Sequence, residues 1–218
     1  MVTAIQTRQV AIDVAPGAVL RAELSRPSET SAGGLVLIAH ASRLPRRDLR
    51  NRVLIAALSR AGLATLLLDL LTMHEKVSHP IAADVELLAQ RIVKATQWLR
   101  QQRETEALTL GCLGLIASSG AVLRAAAELC EHIGAVVSWG RGEDLRAVPL
   151  EAISAPVLLI IDGHAEDLDH GLAVQKRLKC PTDLVMVPGA THAFEHFGPV
   201  QREPARWSLA AEQANLPY

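Results

Sequence analysis

Short, uninterrupted apolar segments recur along this chain, and they restrict its possible folds more than any other feature. One is Gly-Leu-Val-Leu-Ile-Ala-His-Ala at positions 34–41, and another covers positions 63–68. Because polar residues do not alternate with the apolar ones, each run is typical of a parallel β-strand buried on both faces of a sheet. Segments with apolar residues at helical spacing separate the runs. This alternation predicts an α/β fold, with a mostly parallel central sheet and helices on both faces.

The same patterns locate the individual elements. Strands of the parallel sheet are predicted at 34–40, 63–68, 108–115, 135–138, 157–161 and 184–187. Helices are predicted at 50–62, 80–99, 119–132, 167–178 and 200–214. Near the N-terminus, strand-like runs at 8–14 and 18–25 are joined by Pro16-Gly17, which indicates a hairpin. No internal repeat or linker interrupts the series, so residues 1–218 are predicted to form a single domain.

Composition excludes several classes of function. A formal net charge of −1 creates no overall field that favours nucleic acid or an anionic membrane. The apolar runs are too short to cross a bilayer, and the first residues lack the basic start and apolar stretch of a signal peptide. Cys112, Cys130 and Cys180 lack metal-type or redox-type spacing, which indicates buried thiols in a reducing compartment. We therefore expect a soluble, cytoplasmic protein.

The residues that follow the strands form the candidate site, because open parallel sheets bind ligands at the carboxyl ends of their strands. Four of these ends carry informative residues, namely 40–43 (His-Ala-Ser-Arg), 114–118 (Gly-Leu-Ile-Ala-Ser), 162–167 (Asp-Gly-His-Ala-Glu-Asp) and 188–192 (Pro-Gly-Ala-Thr-His). The carboxyl ends of neighbouring parallel strands lie along one edge of the sheet, so we expect these side chains to share one cleft.

Several motifs together resemble one family. They are 50–52 (Arg-Asn-Arg), 61–72 (Ala-Gly-Leu-Ala-Thr-Leu-Leu-Leu-Asp-Leu-Leu-Thr), 126–128 (Ala-Ala-Glu), 136–138 (Val-Val-Ser) and 188–195 (Pro-Gly-Ala-Thr-His-Ala-Phe-Glu). In these segments the chain resembles the dienelactone-hydrolase-like branch of the α/β-hydrolases, over roughly residues 10–200. The resemblance implies the α/β-hydrolase fold and hydrolysis of ester or lactone C–O bonds, with no cofactor.

The resemblance also implies the catalytic positions. The family places a serine or cysteine nucleophile on a sharp strand–helix turn, G-x-S-x-G, a histidine after the last strand and an acid after the strand before it. If the strand continues into its helix without a gap, Gly114 and Ser118 occupy the two glycine positions of this motif. Ile116 then occupies the position of the nucleophile. Isoleucine has no nucleophilic atom, and its β-branch disfavours the positive φ of such a turn.

A rival register makes Ser118 the nucleophile, with Gly120 two residues later. It places the bulky Ile116 where a small residue is required, so sterics favour the first register while both remain open. Cys112 is no substitute, because it lies inside the strand and is preceded two positions earlier by Leu110.

Other positions depart from the family pattern as well. His40 is present after the first long strand, but Ala41 and Arg43 replace the glycines that let backbone N–H groups approach an oxyanion. The aspartate position falls on Ala165, with Glu166 and Asp167 just beyond it. His192 stands in an intact motif.

Two weaker signals concern charged ligands. His192 and His196 have the spacing of two metal ligands on a helix, but Gly198 argues against a helix and no third ligand is evident, so no metal is predicted. The resemblance explains Arg46, Arg50 and Arg52 as residues that brace the next helix. Arg43 and Arg47 depart from the family, and they could form an anion site at the mouth of the cleft.

Three hypotheses follow. In the first, the chain has lost serine-hydrolase chemistry but keeps the fold and a pocket for a small ester, lactone or anionic ligand, lined by Ile116, Ala117 and the residues after the first long strand. In the second, it is an active esterase or lactonase that uses Ser118, His192 and either Asp167 or Glu166, with the amide of Ala117 or Ser119 in the oxyanion hole. In the third, it is a scaffold that pairs with a homologous active subunit. A homo-oligomer is a further possible assembly.

Overall fold

The computed structural model describes residues 5–28, 32–42, 49–77, 84–140, 145–162 and 165–187. Their centre is an eight-stranded sheet in the order β1-β2-β4-β3-β5-β6-β7-β8. The strands are β1 (Ile5–Ala15), β2 (Ala18–Pro27), β3 (Gly34–His40), β4 (Leu63–Asp69), β5 (Leu110–Leu115), β6 (Ala135–Trp139), β7 (Val157–Asp162) and β8 (Thr182–Val187). From β4 to β8 the neighbours pair in parallel, whereas β1 and β2 form an antiparallel hairpin that joins the sheet alongside β4. The mostly parallel sheet predicted from the apolar runs is confirmed.

In the described part of the chain, four α-helices pack on this sheet, namely α1 (Leu49–Arg60), α2 (Val85–Arg100), α3 (Ser119–Leu129) and α4 (Ala165–Arg177). On one face, α1 contributes Leu54 and Leu58 to an apolar layer. On the opposite face, α2 and α3 contribute side chains such as Leu88 and Val122 to the larger layer. Every residue of β3 and β4 is buried, because each strand lies between the two layers. The helices on both faces are therefore as predicted.

Local signals explain where elements begin and end. The side chain of Asp84 accepts a hydrogen bond from the backbone N–H of Leu87 at 2.9 Å, which caps the start of α2. Gly62 ends the first helical segment with a φ of 81°, a conformation that glycine adopts without steric cost. The third helix stops at Leu129, three residues before the predicted end, and a 3-10 turn follows it. The predicted helix at 200–214 lies outside the described residues.

The cysteines only partly fit the prediction of buried thiols. Cys112 is buried inside β5 as expected, but Cys130 is exposed and Cys180 is half-buried. The prediction is therefore wrong for Cys130, which lies in the turn after α3 and outside the core. Burial raises the pKa of the Cys112 thiol to about 12, so this side chain stays protonated at neutral pH. Within the described ranges, no helix is both long and apolar enough to cross a membrane.

Candidate functional site

A sharp turn connects β5 to α3 at the carboxyl edge of the sheet. Leu115 ends the strand in an extended conformation, Ile116–Ser118 form one 3-10 turn, and α3 begins at Ser119. Ile116 has a φ of 50°, which is rare for a β-branched residue. Its side chain is 45% exposed, whereas Ser118 is completely buried. Ile116 is therefore the residue at the apex of this turn.

Small residues around the apex let the backbone close the turn. A Cβ atom on Gly114 would lie 2.5 Å from the carbonyl oxygen of Ser118 and 2.6 Å from a methyl carbon of Val122. A Cβ atom on Gly140, which follows β6, would overlap the hydroxyl of Ser119. Gly114 thus occupies the position that requires a small residue two before the apex. The role of Gly140 was missed in the sequence, because only the packing of β6 beside α3 brings it to the turn.

The hydroxyl of Ser118 points into the protein and holds the turn against its neighbours. Its Oγ donates a hydrogen bond to the Ala39 carbonyl in β3 at 2.7 Å. The same Oγ accepts a hydrogen bond from the backbone N–H of Leu115 at 3.0 Å. With no exposed surface and both contacts made to backbone, this hydroxyl has no path to a substrate carbonyl in this conformation. The structure thus places the serine of the rival register in a bracing position.

We expect Ser118→Ala to lower the free energy of unfolding by about 1–3 kcal/mol, because it leaves buried backbone groups of Ala39 and Leu115 without this partner. Urea denaturation monitored by circular dichroism measures the effect. Ser154→Ala is the matched control, since Ser154 is exposed and its removal should change stability by less than about 0.5 kcal/mol. Equal effects of the two substitutions would contradict the bracing role.

His40 and Asp69 meet at the ends of β3 and β4, beside the turn. They are register partners, and His40 Nδ1 lies 3.1 Å from Asp69 Oδ1. The second oxygen, Oδ2, accepts a hydrogen bond from Lys76 Nζ at 2.8 Å. Burial alone raises the pKa of Asp69, but hydrogen bonds and charge from His40 and Lys76 outweigh it and hold the pKa below its usual range. Asp69 is therefore a carboxylate at neutral pH.

Asp69 and Lys76 were not among the candidate residues found in the sequence. Asp69 was recognisable only as the end of a predicted strand, and its pairing with His40 depends on β3 and β4 being neighbours. Ala41, next in the chain, is buried, while Ala117 is half-buried within the 3-10 turn. The oxyanion role considered for the Ala117 amide stays a prediction.

The acid candidates occupy a helix. Glu166 and Asp167 lie in the first turn of α4, which begins at Ala165, two residues earlier than predicted. Glu166 is exposed and Asp167 is half-buried. The loop between β7 and α4 is thus shorter than the sequence suggested, because both acids already belong to the helix.

His192, Arg43 and Arg47 lie outside the described residues, so the direction of the His192 side chain and the anion site remain predictions. In the ranges that are described, no group of three or more His, Cys, Asp or Glu side chains could hold a metal.

Solved structures place this architecture among the α/β-hydrolases. The chain superposes on dienelactone hydrolase from Anabaena variabilis with a TM-score of 0.83 and 35% sequence identity, covering 94% of this chain and 98% of that one. Est1E from Butyrivibrio proteoclasticus gives a TM-score of 0.75 at 17% identity, over 95% of this chain and 99% of that one. Brefeldin A esterase, a bacterial homologue of human hormone sensitive lipase, gives 0.70 at 13% identity, over 97% and 78%. Because their sequence identity is low, these last two structures show similarity of fold alone.

Sequence comparison finds relatives in Mycobacterium tuberculosis. Proteins of two strains, whose description names a phosphoribosyl transferase, are 39% identical over 170 residues, which is 78% of this chain. The chain spans only 38% of the length of these relatives. No protein-family model matches the chain.

The fold and the strand–helix turn define an α/β-hydrolase. The identity to the Anabaena protein over almost the full length of both chains shows that this one belongs to the dienelactone-hydrolase-like family.

Proposed function

We propose that this chain has lost serine-dependent hydrolysis of esters and lactones, and that the carboxyl edge of its sheet binds a small ester, lactone or anionic molecule. One observation carries the proposal, namely that Ile116 stands at the apex of the turn with a φ of 50°. A hydrocarbon side chain there cannot attack a carbonyl carbon. The family fold is retained around an apex that cannot perform the family's first chemical step.

The neighbouring nucleophile candidates support the same conclusion. The Ser118 hydroxyl is fully buried and bonded to backbone groups of β3 and β5. The Cys112 thiol is buried inside β5, and its pKa of about 12 keeps it from forming a thiolate. Neither of these two side chains could act as a nucleophile unless the structure around it rearranged.

Exposed apolar side chains at the same edge support a binding role. Leu49, Met73 and Ile116 are 73%, 60% and 45% exposed. They belong to the segments that follow β3, β4 and β5, three neighbouring strands of the sheet. Apolar groups beside a few polar ones are typical of sites for small organic ligands. The ends of β3 and β4 add the polar side chains of His40 and Asp69 to this edge of the sheet.

The transferase description of the Mycobacterium relatives applies to much longer proteins. Those proteins are more than twice as long as their match to this chain, so their description can refer to regions without a counterpart here. The matched region has the fold of the hydrolase family.

A fluorophosphonate probe, which labels activated serines, tests the proposal. We expect no labelling of the purified protein, because no serine stands at the apex. Ile116→Ser should create labelling, since it places a hydroxyl at the exposed apex position. Ser154→Ala serves as the control for an exposed serine outside the site.

The proposal is wrong if the parent protein is labelled and if a folded Ser118→Ala variant loses both labelling and turnover of a p-nitrophenyl ester. That result would mean that the turn adopts the rival register in solution and that the protein is an active esterase. Circular dichroism of each variant confirms that a lost signal does not reflect unfolding.

A further inference from the structure

A cavity of about 600 Å³ opens at the amino edge of the sheet, opposite the edge that carries the candidate site. Its wall includes the residues that lead into four neighbouring strands, namely Leu110 at the start of β5, Gly134 before β6, Pro156 before β7 and Pro181 before β8. These strands run in parallel, so all four positions lie where the strands begin. Sites for small ligands commonly have volumes of about 300–1,000 Å³, so this cavity is large enough to hold one.

Arg100 places a fixed positive charge in the wall of this cavity. It is the last residue of α2, and its side chain is half-buried. Its Nη1 donates hydrogen bonds to the carbonyl oxygens of Glu106 and Leu108, at 2.9 and 3.0 Å. Its Nη2 donates to the carbonyl oxygen of His132 at 3.2 Å. Contacts with the segments before β5 and before β6 thus hold the guanidinium in one position.

The hydrogen-bond partners of Arg100 differ from those of other arginines in the protein. Several arginines in the described ranges pair with a carboxylate, namely Arg8, Arg26, Arg91, Arg124 and Arg177. The partners of Arg100 are neutral carbonyl groups, which leave its charge uncompensated. A guanidinium has five N–H groups, so these three hydrogen bonds leave two donors for a further acceptor.

Two negative features near Arg100 reduce the effect of its charge without cancelling it. The carboxyl end of a helix such as α2 carries about half a negative charge through the helix dipole. Glu131 also lines the cavity, but it is exposed, so water and salt screen its carboxylate. Because the guanidinium is already held in place, an anion that binds to it loses little free energy in ordering the side chain.

We propose that the cavity at the amino edge is a second binding site, which takes a small organic anion through a carboxylate or phosphate group. This group accepts hydrogen bonds from the two remaining donors of Arg100. Charge-assisted bonds between guanidinium groups and such anions are among the strong ones in proteins. His132 and Ser154 are exposed in the same wall and supply polar groups for the rest of the ligand. The site goes beyond the proposed function, which concerns the carboxyl edge.

Isothermal titration calorimetry of the full chain with inorganic phosphate, citrate and glucose 6-phosphate tests the proposal. We expect saturable binding of citrate or glucose 6-phosphate that is tighter than that of inorganic phosphate, because the larger anions also contact the polar wall. Comparison of these two organic anions shows whether the site favours carboxylates or phosphates. Arg100→Gln should weaken this binding at least about tenfold, since hydrogen bonds to charged groups contribute on the order of 10–100-fold.

Arg103→Gln is the matched control, because it removes the same charge from an exposed position three residues further along, outside the cavity wall. It should leave the affinity close to that of the parent protein. Glu131→Gln is a second test that keeps the backbone contacts of Arg100. It should strengthen binding about two- to fivefold, because it removes the screened repulsion of an exposed carboxylate. Circular dichroism establishes that each variant is folded.

Four results would overturn the inference. They are no saturable binding of either organic anion at millimolar concentration, organic anions that bind no tighter than inorganic phosphate, equal losses in Arg100→Gln and Arg103→Gln, and an unchanged affinity in Glu131→Gln. A folded Arg100→Gln variant with the parent affinity would likewise place the anion elsewhere. None of these results affects the loss of the serine nucleophile. Labelling of the parent protein by a fluorophosphonate would instead overturn the proposed function and leave this cavity site intact.

Discussion

Replacing Arg91 with methionine is expected to lower the free energy of unfolding by about 3–5 kcal/mol. Arg91 is 5% exposed and fixes the loop after β4. Its guanidinium donates to the Leu70 carbonyl at 2.6 Å and to both carboxylate oxygens of Glu75, at 2.6 and 2.8 Å. Methionine preserves much of the side-chain volume but removes the donor of the buried Leu70 carbonyl and the charged partner of the Glu75 carboxylate, which keeps the hydrogen bond from the Thr72 N–H at 2.8 Å. Urea denaturation at neutral pH measures the loss.

Arg124→Met is the control. Arg124 also bonds to a carboxylate, that of Glu86 at 2.9 Å, but the Glu86 side chain is 52% exposed. Exposed ion pairs contribute about 0–1 kcal/mol, so this variant should unfold close to the parent. Similar losses in both variants would contradict a special role of the buried pair.

The pH dependence of stability provides a second measure of the same pair. The hydrogen bonds from Arg91 outweigh burial and lower the pKa of Glu75 from 4.5 to about 2. Since the folded-state pKa is the lower one, the pair stabilises the fold fully above pH 4.5, and this contribution is lost as the pH falls from 4.5 towards 2. A shift of this size corresponds to at most about 3 kcal/mol. In Arg91→Met this acid-dependent loss should largely disappear. An unchanged acid profile would contradict the assignment.

Gly114→Ala is expected to cost about 1–3 kcal/mol or more, because the added methyl group meets the backbone of the turn. The nearest atoms are the Ser118 carbonyl oxygen at 2.5 Å and Val122 Cγ2 at 2.6 Å, and the carbonyl cannot move without displacing the apex. The same substitution should also prevent the Ile116→Ser variant from reacting with a fluorophosphonate. Thermal or urea unfolding measures the change in stability. Fluorophosphonate labelling of the double variant measures whether the serine at position 116 can still react.

Gly171→Ala provides the comparison within α4. A Cβ atom there would meet the tips of flexible side chains, Leu184 Cδ1 at 3.0 Å and Ile161 Cγ2 at 3.3 Å. Alanine also favours a helix over glycine by about 1 kcal/mol, which offsets the crowding. We therefore expect little net change. If Gly114→Ala were equally well tolerated, Gly114 would not lie two residues before the apex, and the rival register with Ser118 would gain support.

The conformation of Ile116 is the strained point of the site. A non-glycine residue in a sparsely populated region of φ/ψ space costs on the order of 1–3 kcal/mol and persists only when its surroundings hold it. Here Gly114 allows close contact, Ser118 bonds to β3 and β5, and the Ser119 hydroxyl donates to the Ile116 carbonyl at 2.7 Å. These contacts hold Ile116 at a φ of 50°, and the absence of a nucleophile at this apex is part of the function proposed above.

The sequence alone determined the architecture of this protein. Continuous apolar runs at 34–40 and 63–68 predicted buried parallel strands, because only a strand covered on both faces lacks polar alternation. They became β3 and β4, in which every residue is buried. The position of Ile116 could also be derived locally, since the small residues required by a tight turn are close neighbours in the chain.

Only the tertiary structure decided the polar contacts of the site. His40 and Asp69 are 29 residues apart, and Ser118 and Ala39 are 79 apart. No local pattern links such residues, because their contact depends on the order of strands in the sheet, where β3 lies between β4 and β5. The same holds for Glu166 and Asp167, whose place in α4 depends on where that helix begins. Apolar periodicity specifies which segments are buried, whereas the partner of a buried polar group is set by the neighbours that folding provides.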